Sequence, residues 1–297
     1  MQNTSTYIKI LKEICVEEGF TFNSYSDNWL IRIDNGDKHM LIHGYKFPNN
    51  SASVSELCCD KSSLSEYLAL SGIPCIPHTY FDVNFDTEKS LALGRTLLEK
   101  YGSLVIKPND GTGGRKVWRV DTVEELEYRM KKALTEKGNV CLSPFVDIQA
   151  EYRTIIYKDR PFFTFEKIRP SVIADGKTSY FDYLRKVGLK NRQDIADYIP
   201  KKGETVLLNW RHNLQGGAKP RLVSAPDELT AISSRLYSIL GVVFASVDVV
   251  KVNEKYYVLE INSGVMTEHF ASENAEYYAL AKNVYRTAIK DYFANLE

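Results

Sequence analysis

A chain of 297 residues, 44% hydrophobic and 12% aromatic, is long enough for about two compact lobes with real cores and a cleft between them. Its 26% charged residues make it globular rather than disordered, and 38 Lys plus Arg against 38 Asp plus Glu leave no net field to draw it towards nucleic acid or an acidic membrane surface. Any anionic ligand must therefore be held by a local constellation.

In chain order, residues 4–18 place Ile8, Leu11, Ile14 and Cys15 at helical spacing, with Gly19 as a stop. This stretch lacks a basic region followed by an apolar run, and no apolar run in the chain reaches about 18 residues, so a cytoplasmic location without a membrane span is the expectation. Residues 29–33 and 39–43 flank Asp34-Asn35-Gly36-Asp37, a strong hairpin signal, and residues 1–60 read as a small α/β domain. The five cysteines, 15, 58, 59, 75 and 141, show no paired CxxC spacing. They read as reduced thiols, with Cys58 and Cys59 packing at the end of an extended segment.

A helix over 62–71 ends at Gly72, Ile73-Pro74 forces extended chain, and a second helix over 87–101 ends at Gly102. A strand over 104–107, a glycine-rich turn over 109–114, a strand over 116–120, and a helix opened by Thr122 with Glu125 and closed by Gly138 complete a first lobe, 61–138. Strands over 140–146, 151–158 and 162–168 follow, the last two joined at Asp159-Arg160. Residues 171–203 are polar and irregular, an expected mobile insertion with a helix over 180–187. After His212-Asn213-Leu214-Gln215-Gly216-Gly217, a helix carrying Leu229, Ile232, Leu236 and Ile239 runs to Gly241, and strands over 242–252 and 256–261 and a last helix complete a second lobe, 139–297.

Polar residues inside the last two strands carry the sharpest chemical signal. With residues 253–255 as the hairpin loop, Val252 pairs with Tyr256, and counting outward sets Asp248 opposite Glu260, with Asn262 on the same face. Three oxygen ligands so placed suit a hard cation such as Mg²⁺. A loop one residue shorter breaks this pairing, and the plainer alternative is a solvent-facing strand whose carboxylates meet Lys or Arg. A second signal is Leu104-Val105-Ile106-Lys107-Pro108 running into the turn with Gly111, Gly113 and Gly114. Glycines let backbone N–H groups approach phosphate oxygens, and the lysine adds a point charge. It is not a Walker loop, since a strand and not a helix follows, and alone it reads equally as a hairpin turn. Basic residues, Lys61, Arg153, Lys167, Arg169, Arg211 and Lys219, accompany it. Arg153 and Lys167 lie inside strand patterns, where a buried charge needs a counter-charge or an anionic ligand. Gly216 and Gly217 beside Asn213 either let backbone approach a carboxylate or phosphate or form a plain turn.

The ordered set Lys61, Lys107 with its flap, Glu151-Tyr152-Arg153, His212-Asn213-Leu214-Gln215-Gly216-Gly217, Asp248 and Glu260-Ile261-Asn262 resembles the ATP-grasp superfamily over about residues 58–270. It is most similar to the branch holding ribosomal-protein glutamylating ligases, cyanophycin synthetase and L-amino acid or dipeptide ligases. The resemblance implies an α+β fold: two α/β lobes clasping ATP, behind a small N-terminal α/β domain. It implies a ligase joining a carboxylate to an amine through an acyl phosphate, with ADP and phosphate released and an amino acid or peptide as substrate. Lys61 and Lys107 would hold the ATP phosphates together with the flap glycines and Asn213. The strand around Cys141, Ser143 and Phe145 would offer backbone groups to adenine, and Asp147 its carboxylate to the ribose. Asp248, Glu260 and Asn262 would hold Mg²⁺, two ions by expectation and with Mn²⁺ as an alternative, while Arg153 would steady the acyl phosphate. Arg211 is a further catalytic candidate and, with His212 and His269, a candidate for the substrate pocket, each equally a structural donor. The family often has Pro-Gly after the Asn-Ser step where this chain has Ser263-Gly264-Val265-Met266-Thr267-Glu268-His269, so selectivity does not carry over. A small-molecule kinase and a non-catalytic ATP-binding regulator are the rival functions, and a homodimer is compatible with either.

Overall fold

The computed structural model describes residues 5–111, 113–190 and 195–296; residue 4 of the first expected helix, Thr112 of the flap and residues 191–194 of the insertion lie outside that range. Helix α1 (Thr6–Glu18) is capped by Ser5 and stopped by Gly19 in the left-handed conformation. It leads into a three-stranded antiparallel sheet, β1 (Thr21–Tyr25), β2 (Leu30–Asn35) and β3 (Lys38–His43). Strand β1 was not among the expected elements, because its polar sequence shows no clean alternation. Cys58 follows the short helix α2 (Ala52–Leu57), so the cysteine pair ends a helix rather than an extended segment.

Helix α3 (Lys61–Leu70) precedes the four-stranded sheet of the first lobe, built from β4 (Thr79–Asp82), β5 (Leu104–Lys107), β6 (Trp118–Val120) and β7 (Asn139–Pro144) in the order β4-β7-β5-β6. Helices α4 (Thr87–Tyr101) and α5 (Val123–Lys137) cover it, burying Leu91, Leu126 and Met130 against Phe81, Ile106 and Leu142. Lys116 takes positive φ, so the strand after the flap starts at Trp118.

The second lobe is a five-stranded antiparallel sheet, adding β8 (Ala150–Tyr157), β9 (Arg160–Ile168), β12 (Lys219–Val223), β13 (Phe244–Val252) and β14 (Lys255–Asn262) in the order β12-β9-β8-β13-β14. The turn between β8 and β9 is Lys158-Asp159, one residue earlier than expected, because Arg160 pairs with Tyr157. One face of β13 and β14 packs Val247, Val249 and Ile261 on α3 and on α7 (Asp227–Arg235), which runs on as a π-helical turn, Leu236–Leu240. The core of α3 is therefore shared with the second lobe. The other face meets α1, the N-terminal sheet and the last helices, α8 (Glu268–Ala271) and α9 (Ala275–Ala294), through Phe244, Tyr157, Phe165, Phe270 and Tyr285. The insertion is a small unit of β10 (Ser171–Ile173), α6 (Tyr180–Lys186) and β11 (Thr205–Leu207) around Tyr180, Leu184 and Val206. Among the described residues no helix is long and apolar enough to cross a membrane.

The β13–β14 hairpin corrects one expectation and keeps its consequence. Its loop is Asn253-Glu254 alone, both with positive φ as a tight two-residue turn requires, and Val252 pairs with Lys255. That shorter loop would have misaligned the carboxylates, but a bulge at Leu259 restores the count, and Asp248 lies opposite Glu260.

Candidate active site

Along the face of β13 that carries Phe244, Ser246 and Asp248, the partners on β8 are Tyr157, Ile155 and Arg153, so the surface grades from aromatic core to charge towards one end. That charged end opens on a cavity of about 670 Å³ lined by both lobes and by the N-terminal sheet. The volume is in the range of small-molecule sites.

Asp248 is 2% exposed and fully engaged: Arg153 donates Nε to Oδ1 and Nη2 to Oδ2, both at 2.7 Å, and Lys167 Nζ lies 2.8 Å from Oδ2. Lys167 also donates to Glu151 Oε1 at 2.7 Å, which makes a buried chain of two acids and two bases. Burial alone would raise the Asp248 carboxyl, but Arg153 and Lys167 hold it well below the usual carboxylate range. Asn262 donates Nδ2 to Glu260 Oε1 at 3.1 Å, which fixes the amide and turns its carbonyl oxygen away from that bond.

The predicted metal ligands Asp248, Glu260 and Asn262 thus come together at the cavity wall. Among the described residues no group of three or more His, Cys, Asp or Glu is placed to hold a metal ion. Two carboxylates and one amide oxygen do not make an all-protein cage. They do match the sparse, hard-oxygen set that Mg²⁺ takes when substrate phosphates complete its shell. The donor set fits Mg²⁺ carried in with a nucleotide.

Lys61 and Lys107 are both 8% exposed, and burial pulls the Lys107 ammonium below its ordinary value, with nearby Lys61 adding to the effect. Lys61 opens α3 and donates to the carbonyls of Gly111, at 2.6 Å, and Asn109. Asn109 in turn accepts from Ser62 and donates to the capping Asp60, so the base of the flap is tied to the start of α3. The flap's far side is tied to the second lobe: Asn213 donates Nδ2 to the Gly113 carbonyl at 2.8 Å, and Arg211 donates to those of Gly114 at 3.3 Å and Val117 at 2.7 Å. Gly113 and Gly114 have φ of 69° and 67°, and a Cβ on Gly114 would stand 2.7 Å from the Asn213 amide. The glycines permit both the backbone and the approach.

Cys141 is fully buried beside Lys107 in the sheet, whereas Ser143 and Phe145 line the cavity. Strand β4 pairs only residues 139–142, so one edge of the backbone beyond Leu142 faces away from a ladder. The Arg119 guanidinium covers the Phe145 ring at 4.0 Å, and Trp210 meets its edge. Asp147 is exposed while its neighbours Val146 and Ile148 line the cavity, and Lys219 is an exposed partner of Glu273. These two are not brought into the site.

Arg169, His212 and His269 line the cavity. His212 Nδ1 is 2.8 Å from the Lys167 carbonyl, which can only accept, so Nδ1 carries the proton. Its Nε2 is then the acceptor of the neutral ring, and it has no hydrogen-bond partner among the described residues. Burial depresses the imidazole pKa, and the Arg169 and Lys167 charges add to this against the opposing effect of Glu151. Sequence reasoning missed the wall formed by Trp29 and Tyr45, which no local motif announces, and the pairing of Glu151 with Lys167, for which a charge inside a strand pattern was the available signal.

Residues 202–282 match the model of the RimK-like ATP-grasp domain. The cyanophycin synthetase of Nostoc sp. is 22% identical over 289 residues, covering 87% of this chain and 31% of that protein, and the biotin carboxylase of Pseudomonas aeruginosa is 24% identical, covering 96% and 58%. The chain thus spans about a third of the cyanophycin synthetase and somewhat over half of the carboxylase. Among solved structures, the bifunctional glutathione synthetase of Pasteurella multocida superposes with a TM-score of 0.57 at 16% identity, over 97% of this chain and 44% of that one. The D-alanine–D-alanine ligase of Bacillus anthracis in complex with ATP gives 0.53 at 18% identity, over 81% and 69%. At these identities the likeness is one of fold, and the fold is ATP-grasp.

Proposed function

We propose that this chain, an ATP-grasp protein, is a carboxylate–amine ligase that consumes Mg-ATP and forms an amide through an acyl phosphate. In this reading residues 61–138 and 139–297 act as the two clasping lobes and residues 1–60 as the small preceding domain. The observation that carries it is the Asp248–Glu260 pair with Asn262, set beside Arg153 and the buried Lys167 and Lys107 in a cleft that the 113–117 segment spans.

Catalysis of this kind is positional and electrostatic. Lys61 and Lys107 hold the phosphates, with the flap glycines and Asn213 closing over them, and Ser143 to Phe145 hold the base. Asp248, Glu260 and Asn262 would hold Mg²⁺, which would supply positive charge at the transferring phosphate. Arg153, already oriented by Asp248, faces the carboxylate and steadies the mixed anhydride once one carboxylate oxygen has bonded to the γ-phosphorus and ADP has left. The tied flap keeps water from the anhydride. His212 Nε2 accepts the proton that the amine sheds as its nitrogen bonds to the acyl carbon and phosphate departs. Both substrates are taken as amino acids or peptides.

The test is Mg-ATP turnover against amino acids offered singly and in pairs, reading ADP, free phosphate and product mass together. Phosphate release that requires an amino acid, with a product one water lighter than its substrates, supports the ligase. A phosphorylated product without free phosphate would make it a kinase, and ATP binding without turnover across acids, amines and peptides would make it a regulator.

A further inference from the structure

The cleft continues past the metal-ligand strand to a second end, walled by Trp29, His43, Tyr45 and Lys46 from the N-terminal sheet and by Met266 and His269 from the segment after β14. The two walls are joined backbone to backbone: Lys46 bridges to Gly264, and Val265 N–H donates to the Tyr45 carbonyl at 3.0 Å. This end is therefore a fixed continuation of the strand that carries Glu260 and Asn262.

Trp29 is held there by unusual backbone. Ser26, Asp27 and Asn28 have φ of 52°, 54° and 66°, three successive non-glycine residues in the left-handed region. Single residues visit it, Asn and Asp most readily, whereas a run of three needs surroundings that impose it. Trp29 closes this turn onto the Ser26 carbonyl and accepts from Gly44 N–H at 2.7 Å. A Cβ on Gly44, itself at φ 60°, would stand 3.1 Å from the Trp29 ring, so the glycine makes the seat of the indole. His43 meets the ring edge-on. Yet Trp29 remains 54% exposed, an aromatic face fixed at a cavity wall and left open.

Charge narrows what fits. The acids lining the cavity, Glu151, Asp248 and Glu260, all belong to the charged centre, while Glu268, nearest this end in sequence, is engaged by the N–H groups of Thr6 and Tyr7. Of the polar side chains of the wall, Lys46 already pairs with Glu56 at 3.2 Å, and Tyr45, His43 and His269 are not acids, so none offers a free carboxylate to a cationic group. We infer that this end receives the body of the carboxylate substrate, that the body is aromatic or large and apolar rather than small or cationic, and that Trp29 is its specificity-determining contact. The inference rests on the ligase reading for calling the bound acid a substrate, though not for the binding itself.

The experiment is calorimetric titration of the full chain, with Mg²⁺ and a non-hydrolysable ATP analogue present, using L-phenylalanine, L-alanine and L-lysine as probes, alongside the turnover assay with the same three. L-Phenylalanine should bind about tenfold or more tighter than either other probe, Trp29→Ala should erase that margin, and Trp29→Phe should keep most of it. Unchanged binding of the ATP analogue by Trp29→Ala certifies that the variant is folded. Equal affinities for the three probes, no binding of any, or a margin that survives Trp29→Ala would overturn the inference. Turnover without preference would sink the aromatic wall and leave the ligase standing, whereas preferential binding without turnover would do the reverse.

Discussion

Arg153 and Asp248 face each other across adjacent strands and meet in two parallel hydrogen bonds of 2.7 Å, with Lys167 on the same carboxylate. Glu260, on the other side of Asp248, accepts a hydrogen bond from the Asn262 amide at 3.1 Å and from no buried cation among the described residues. The two carboxylates should therefore part company on mutation. Asp248→Asn removes the counter-charge of Arg153 and leaves Lys167 with Glu151 alone, and should destabilise the fold by about 3 kcal/mol as well as abolish ADP formation. Glu260→Gln should lower turnover at least about a hundredfold with little change in melting temperature. Thermal melts of both variants beside an ADP assay decide it, and near-normal turnover by Glu260→Gln would remove that residue from the metal site.

The hairpin that aligns these residues carries its bulge at Leu259. Deleting it would only straighten the bulge and keep Glu260 opposite Asp248, whereas inserting one residue between Leu259 and Glu260 would shift Glu260 and Asn262 by one position, which reverses the face each presents. In the insertion variant ADP formation should fall by at least about a hundredfold, and magnesium should no longer tighten nucleotide binding. Tight magnesium-dependent binding by the insertion variant would mean that register does not set the site.

Much of this was legible in the sequence, for identifiable reasons. Long helices with caps, such as the one from Thr122 to Gly138, and buried strands with isolated acids announce themselves locally. The opposition of Asp248 to Glu260 was reached from a three-residue loop, whereas the chain uses a two-residue turn and a bulge whose offsets cancel. A bulge depends on tertiary packing and leaves little mark in sequence. Likewise Arg211 and Asn213 were recognisable as polar residues beside glycines, but their hold on Gly113, Gly114 and Val117 joins positions about a hundred residues apart.

That hold makes a prediction of its own. Gly114→Ala puts a methyl 2.7 Å from the Asn213 amide at a positive φ, and Asn213→Ala removes the 2.8 Å bond to Gly113. Both should loosen the flap, with protease cleavage near residues 110–117 accelerated several-fold, and Gly114→Ala should raise KM for ATP more than it lowers kcat. If limited proteolysis of both variants matches the parent, the flap is held by something other than this latch.

The pH dependence of the amine step tests His212. Because burial depresses its pKa from the ordinary 6.5, the ring is neutral and able to accept at pH 7, and kcat/KM should fall only as pH drops through that lowered value. Protonation at Nε2 would leave both ring nitrogens as donors and remove the one acceptor that the Lys167 carbonyl leaves available. His212→Ala should cost about a hundredfold in amide formation at pH 7, flatten this acid limb, and leave a residual rate that climbs with pH as free amine becomes available. Formation of the acyl phosphate, measured by trapping it with hydroxylamine in place of the amine, should survive the substitution. An unchanged acid limb in His212→Ala, or equal loss of trapping and amide formation, would assign the proton to another group and leave His212 a structural role between the strands.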